Sequence, residues 1–399
     1  MTKRTLSPDS PWLLVVLATL VALGPLSVDM YIPAMPTMQE DLSASISQMH
    51  LTLSAYLTGF AIFHLACGPL ADRYGRKPVL LWGTVIFVFA CVGCSLSNSI
   101  GELLLFRLLQ GVGACVGPTI ARTIVRDVFG PKRAARAFSI MAMMMALAPA
   151  IAPTLGGAML LVLPWSSIFV FLAGYGVFTI VLVQYFIAES LPIKQSIHPR
   201  AIAKNFTELI RDPLFLLVTM ASALMYATLL TYLSSSAFIY IEMLGVPVQY
   251  FGLVFLTGVG GYIIGSALSA RYSMRYPPEQ LSLKGTQLGV AATLLMLLCS
   301  ELYSDSVAAY MLPMMIVSAS LGLVLPNAMA IALRPFPHIA GTASSMLGFI
   351  QMSTSAIASA AVGSVLTTTP RPMVMAIVII SVLALILNVI MYKRVKKAV

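Results

Sequence analysis

Gly68-Pro69-Leu70-Ala71-Asp72-Arg73-Tyr74-Gly75-Arg76-Lys77-Pro78 sets four charged residues between two apolar runs, 48–71 and 79–98. Each run is about as long as the ~20 residues an α-helix needs to cross the hydrocarbon of a bilayer. The segment therefore reads as the loop between two membrane spans. Outward from it the pattern repeats, with spans expected near 12–36, 48–71, 79–98, 101–124, 137–162 and 165–187. A second series follows near 213–240, 248–270, 284–302, 307–333, 341–366 and 371–391. The gaps are short and carry the Pro, Gly and charge of turns. Leu163-Pro164-Trp165 divides the long run 137–187 as a tight interfacial turn. The expected fold class is an all-α polytopic membrane protein of about twelve spans.

Composition agrees. Hydrophobic residues make up 59% of the chain and charged residues 10%, with a mean hydropathy of +0.93. A soluble domain charges roughly a quarter of its residues because its surface meets water. The 399 residues accommodate twelve spans and short loops, with no room for a soluble domain of ordinary size. The net charge of +10 does not mark a nucleic-acid binder, since the basic residues sit in loops between apolar runs. Cys91 and Cys94 lie one turn apart on an expected span with no second ligand pair, so they read as small buried hydrophobes. Lys3 and Arg4 ahead of an apolar run resemble a leader, but Asp29-Met30-Tyr31-Ile32-Pro33 is no cleavage site. The segment reads as the first span.

Basic residues set the orientation. One set of segments holds Lys3, Arg4, Arg73, Arg76, Lys77, Arg126, Lys132, Arg133, Arg136, Lys194, Arg200, Lys204, Arg211, Arg271, Arg275, Arg334, Lys393, Arg394, Lys396 and Lys397. That is 20 of 24, and the opposite set keeps only Arg371. Both termini are thus expected in the cytoplasm. The longest hydrophilic stretch, 188–212, divides the spans six and six, which suggests two parallel repeats related by an axis along the membrane normal. The expected units are an N-terminal six-helix bundle, 1–190, a cytoplasmic central loop, 191–212, and a C-terminal six-helix bundle, 213–399. The segment after span 2 has a weak echo after span 8, Gly265-Ser-Ala-Leu-Ser-Ala-Arg271-Tyr272, in which the acid is lost.

The segment 68–78, with Gly68, Asp72, Arg73, Gly75 and Arg76, resembles the loop 2–3 signature of the major facilitator superfamily, G-x-L-x-D-R-x-G-R-K. Gly68 would allow close helix approach and Gly75 a tight turn, while the charges form pairs that can be made or broken. Leu103-Leu-Leu-Phe-Arg107-Leu-Leu-Gln110-Gly111-Val-Gly113-Ala114 is similar to the superfamily pattern centred on an arginine within span 4. Span 5 carries Ala148-Pro149-Ala-Ile-Ala152-Pro153-Thr-Leu-Gly156-Gly157, which resembles the drug/proton antiporter motif G-x-x-x-G-P-x-x-G-G. Ala148 and Ala152 stand there in place of glycine. With Pro25-Leu-Ser-Val-Asp29-Met30-Tyr31-Ile-Pro33-Ala-Met-Pro36, Arg126-Asp127, and 335–345 entering span 11, the chain resembles the Bcr/CflA drug-resistance transporters throughout. His64 departs from the glutamine usual in that family. The resemblance implies the major facilitator fold, a bacterial inner-membrane location and proton-driven drug export by a single chain without a cofactor.

Of the fourteen acids, only Asp29 lies clearly within the membrane. If span 1 ends near Pro36, Asp29 is ~7 residues or ~10 Å below the outer boundary, and Arg107 lies ~6 residues or ~9 Å below it on span 4. Burial favours the neutral acid and a nearby cation the carboxylate, so a balanced acid can load and release a proton. Asp29 and Arg107 are therefore the proton-coupling candidates, unless they form a permanent ion pair. A mainly apolar substrate pocket is expected from Met30, Tyr31, Gln110, Tyr232, Phe238, Asn327 and Gln351, beside Met141, Met143, Met144, Met145, Tyr226 and Tyr240. Simple packing is the competing reading for each. His64 is either a second titrating group or a packing histidine. The expected partners are a small-molecule substrate, protons and the bilayer. A specific metabolite carrier on the same fold is the alternative function. Few intramembrane His, Asp or Ser clusters argue against an enzyme, and no phosphate-binding loop suggests a primary pump.

Overall fold

The computed structural model describes residues 11–191, 199–336, 339–366 and 369–398; within them the side chains at 11, 14, 126, 129–147, 199–202 and 397–398 are not described. Among the described residues the ordered elements are all helical. They run α1 Pro11–Asp29, α2 Met35–Asp41, α3 Ile46–Tyr74, α4 Arg76–Ser95, α5 Ile100–Ala114, α6 Val116–Met159 and α7 Ser166–Phe186. After α8 Pro199–Arg211 come α9 Pro213–Ala237, α10 Phe251–Tyr272, α11 Pro278–Leu302, α12 Val307–Leu333, α13 Ala340–Val365 and α14 Arg371–Ala398.

Local sequence chemistry starts these helices. Ser45 and Gln48 form a capping box on α3, Ser99 caps α5 through the Glu102 amide, and Asp212 caps α9 just ahead of Pro213. Gly75 ends α3 with φ 107° and ψ 154°, a region essentially reserved for glycine.

Eleven helical stretches among the described residues are long and apolar enough to cross a membrane. They match the expected spans except 137–162, whose side chains at 137–147 lie outside the described residues. That span belongs to α6, an uninterrupted run of 44 residues. Gly117 of α6 packs against the Leu20 carbonyl and Gly156 against that of Met30. Leu20 and Met30 are ~15 Å apart along their own chain, whereas 39 residues of straight helix would separate the two glycines by ~58 Å. The run therefore doubles back, and both its arms pack on α1. Span 4 runs from Ile100 to Val125, as expected, with a one-residue break in its helix at Cys115, between α5 and α6.

The central stretch read as a loop contains the amphipathic helix α8. Its Leu209 is buried in a cluster with Phe215, Val218, Ile331, Phe336 and Met391. The polar residues around that one apolar face conceal the helix from hydropathy.

Two seams join the parts of the chain before and after α8. In one, α3 packs along α13; in the other, α6 packs on α10. Both are tight toward the helix ends that carry Glu40, Asp41, Glu102, Glu242, Glu301 and Asp305, called here the acidic face. There Gly363 faces the His50 ring, Gly157 faces Val248 and Gly252 faces Thr154, each too closely to admit a Cβ without displacement. Ser54 donates to the Ala356 carbonyl (2.9 Å), and His50 Nδ1 lies 3.2 Å from that of Ser359.

Candidate functional site: an acid at a broken helix and a latch on the basic face

Span 1 is not one helix. It ends as α-helix at Asp29, passes through Met30 and Tyr31, and resumes as a 3-10 turn at Ile32–Ala34 before α2. Pro33 explains the break, because it lacks the amide that would bond the Asp29 carbonyl four residues back. Asp29 is thereby placed, 4% exposed, at the C-terminal end of α1.

Arg107 is fully buried. Its guanidinium carbon lies 4.2 Å from the Tyr31 ring centre and 4.6 Å from that of Tyr56. One amino group donates to the Ser27 carbonyl (3.2 Å) and to Gln110 Oε1 (2.6 Å). Gln110 in turn donates to Cys91 Sγ, and the Tyr31 hydroxyl bonds Thr52.

Among the described residues no ion pair joins Arg107 to Asp29. The helical wheel gives the reason. Ser27 and Tyr31 are four residues apart and share a face, whereas Asp29 lies ~200° around from each. Arg107 grips the 27/31 face. Asp29 turns to the other side, where it interacts electrostatically with Tyr226 of α9, beyond the central segment. The depth-matched charges thus belong to different environments, an aromatic cage and the approach to the second half of the chain.

The expected pocket residues do not gather on one wall. Met30, Tyr31 and Gln110 pack in the core around α1 and α5, all fully buried. Tyr232 bonds the Tyr240 hydroxyl (2.6 Å), and Phe238 stacks on His50 at the acidic face. A π-helical turn, Phe238–Met243, sets that register. Asn327 donates to Ser269 Oγ (2.8 Å) and to the Leu323 carbonyl, linking α12 to α10. Gln351 is half-buried on α13. Met141, Met143, Met144 and Met145 lie outside the residues with described side chains.

At the basic face, Arg76 pairs with Asp72 (2.6 Å) and Asp127 (3.3 Å), tying the ends of α3, α4 and α6's first arm. Glu189, beyond α7, was not singled out in the sequence. Its carboxylate accepts from the amides of Arg76 (2.9 Å) and Lys77 (3.2 Å), capping the positive end of α4. Lys77 Nζ reciprocates on the Gln184 (2.8 Å) and Ile187 (2.7 Å) carbonyls at the end of α7. Arg73 stands apart, 5.2 Å over the Tyr74 ring. Gly75 closes the turn against Glu189 and Pro78, but Gly68 has open space where a Cβ would go. The close approach expected at Gly68 is therefore corrected. Gly59 and Gly111 provide it instead, each against a backbone carbonyl across α3 and α5.

In the antiporter-like segment, Gly156 and Gly157 insert α6's second arm between Met30 of span 1 and Val248 of the second half. Pro149 and Pro153 lie within the same helix. Ala152 is fully buried, so alanine is small enough where the pattern has glycine.

A chain of apolar helices in two joined halves, with the acid Asp29 enclosed inside a span and a charged latch at one face, defines a multi-pass membrane transporter. A family profile described as Major Facilitator Superfamily matches residues 17–359. The chain belongs to that superfamily. It is 33% identical over 365 residues to the uncharacterized MFS-type transporter YdgK of Bacillus subtilis, covering 90% of this chain and 89% of that one. The multidrug resistance protein MdtL of Vibrio parahaemolyticus is 30% identical, with 84% and 85% covered. A bicyclomycin resistance protein homolog of Haemophilus influenzae is 28% identical, with 92% and 94% covered. These relatives agree with the drug-resistance resemblance drawn from the motifs. The fold matches a solved bacterial homolog of the lysosomal transporter Spinster (TM-score 0.74, 17% identity, 98% of each chain). It also matches a D-xylose–proton symporter (TM-score 0.73, 13% identity, 95% and 97%).

Proposed function

We propose that this transporter exports drugs or similar amphiphilic compounds in exchange for protons, by alternating access of its two halves. The observation that carries the reading is Asp29, the acid that lies clearly inside a span, placed at a helix break with no counter-ion among the described residues and in electrostatic contact with Tyr226 of α9. An acid so enclosed is costly to ionise unless water or a cation reaches it. Rearrangement of the second half against the first would change its surroundings, so proton uptake and substrate binding would favour different states. Arg107, held by Ser27 and two tyrosines, would keep span 1 in register while this happens. The resistance proteins among the relatives support amphiphilic drugs as the substrate class. The distribution of basic residues supports both termini at the cytoplasmic side of the inner membrane. In this reading 1–190 and 213–399 are the two bundles, 191–212 connects them, and a single chain suffices without a cofactor.

The test is substrate-driven proton release from proteoliposomes, with ethidium as the probe. The wild type should release protons on addition of ethidium, and Asp29→Asn should release none while retaining ethidium binding. Undiminished release by the variant would overturn the assignment.

A further inference from the structure

Arg122, on the first arm of α6, is an intramembrane cation of a different kind from Arg107. Arg107 is enclosed, whereas Arg122 is exposed even though its neighbours His64 and Cys115 are buried. Its Nε donates to the Pro118 carbonyl (2.8 Å), which draws the side chain back along the helix toward the membrane interior. A guanidinium has five N–H donors, and this bond uses one. Among the described residues no acceptor meets the other four, and no acid pairs with the charge.

The acid inventory makes that vacancy meaningful. Asp29 faces Tyr226, and the carboxylates at the basic end of the same helices, Asp72 and Asp127, are both on Arg76. An unpaired guanidinium within a span is unfavourable by several kcal/mol unless it meets water or an anion. The surroundings are built to leave it available. His64 stacks on Phe60, has Nδ1 3.4 Å from Cys115 Sγ, and presses its Nε2 edge toward Gly348 of α13. It thus stands at the seam between the halves, within electrostatic range of Arg122. Thr119, one turn back from Arg122, is half-buried and donates its hydroxyl to the Cys115 carbonyl (2.8 Å).

We propose that Arg122, with His64 and Thr119 beside it, is an oxyanion subsite that docks amphiphilic substrates carrying a carboxylate or sulfonate. The subsite adds acidic amphiphiles to the substrates of the export reading above and rests on that reading. A planar guanidinium presents parallel N–H donors that match a carboxylate, which an ammonium does not.

The experiment uses the purified full chain in detergent, without a proton gradient, and two fluorescent probes. One is 11-(dansylamino)undecanoic acid and the other its methyl ester, which differ at the charged end. The wild type should bind the acid about tenfold more tightly than the ester, the ratio expected of one charge-assisted hydrogen-bonded contact. Arg122→Gln should reduce that ratio to about one by weakening the acid alone. Arg122→Lys should keep an intermediate preference. A wild type with no preference, a Gln variant with the wild-type ratio, or a wild type that binds neither probe would each overturn the subsite. If Arg122→Gln is unstable, the wild-type and Lys ratios still decide. Because binding is read without a gradient, a preserved acid preference with no proton-coupled transport would refute the antiport reading and leave the subsite standing.

Discussion

Gly68 and Gly75 open and close one charged segment, yet only one of them depends on being glycine. Gly75 holds φ 107° and ψ 154°, and a Cβ there would press on the Glu189 carboxylate that caps α4. Gly75→Ala should therefore lower stability by about 2 kcal/mol, from backbone strain and the displaced cap together. Gly68 lies inside α3 with open space at its Cβ position. Gly68→Ala should be neutral or stabilising by up to ~1 kcal/mol, the gain in helix propensity. Thermal unfolding of the two variants in detergent checks the contrast; equal losses would contradict it. The segment was legible because its chemistry lies in consecutive residues. Glu189 was not, since it reaches Arg76 across 113 positions through helix packing that no local pattern encodes. Asp29 was legible as the lone in-span acid. Its separation from Arg107 follows from the wheel position of Ser27 and Tyr31, and depth alone does not reveal it.

Among elements, the starts of the third and ninth spans play matching parts. In the first half Arg76, opening α4, pairs with Asp127 at the end of α6's first arm. In the second half Glu279, opening α11, pairs with Arg334 just after α12 at 2.6 Å. The same two places are joined by an ion pair with its charges exchanged. The sequence echo at Gly265–Tyr272 had lost its acid, and the structure finds one seven residues beyond Tyr272. Charge position is thus kept where residue identity is not, which is why sequence comparison of the halves found so little. The pair is asymmetric, with the Glu279 side chain 5% exposed and that of Arg334 55% exposed. Removing Arg334 leaves a buried carboxylate unpaired, whereas neutralising Glu279 leaves a cation that water can solvate. Arg334→Ala should cost about 1–2 kcal/mol after screening at the exposed end, and Glu279→Gln less. The double variant should recover part of the Arg334→Ala loss. Additive losses in the unfolding midpoints would show that the pair does not couple.

At the scale of the molecule, the proposed alternating access requires that the halves part on one face and meet on the other, and they meet here at the acidic face. Gly252 of α10 lies against Thr154 on the second arm of α6, and His50 of α3 lies against Gly363 of α13. The His50 Nε2 has no hydrogen-bond partner among the described residues, and the ring meets Gly363 by shape alone. A seam of that kind is sensitive to volume. Gly252→Leu introduces a side chain where even a Cβ would displace Thr154, and overpacking of this sort costs about 1–3 kcal/mol. The cost falls on the closed arrangement alone, so it should raise the population open at the acidic face by roughly tenfold or more. The readout is modification of Ser359→Cys, a position fully buried in the closed seam, by an impermeant maleimide applied from the acidic side. The reaction should proceed several-fold faster with Gly252→Leu than without it, and transport should fall, because a molecule that cannot close that face cannot complete the cycle. An unchanged labelling rate together with full transport would mean that the α6–α10 contact does not govern which face is open.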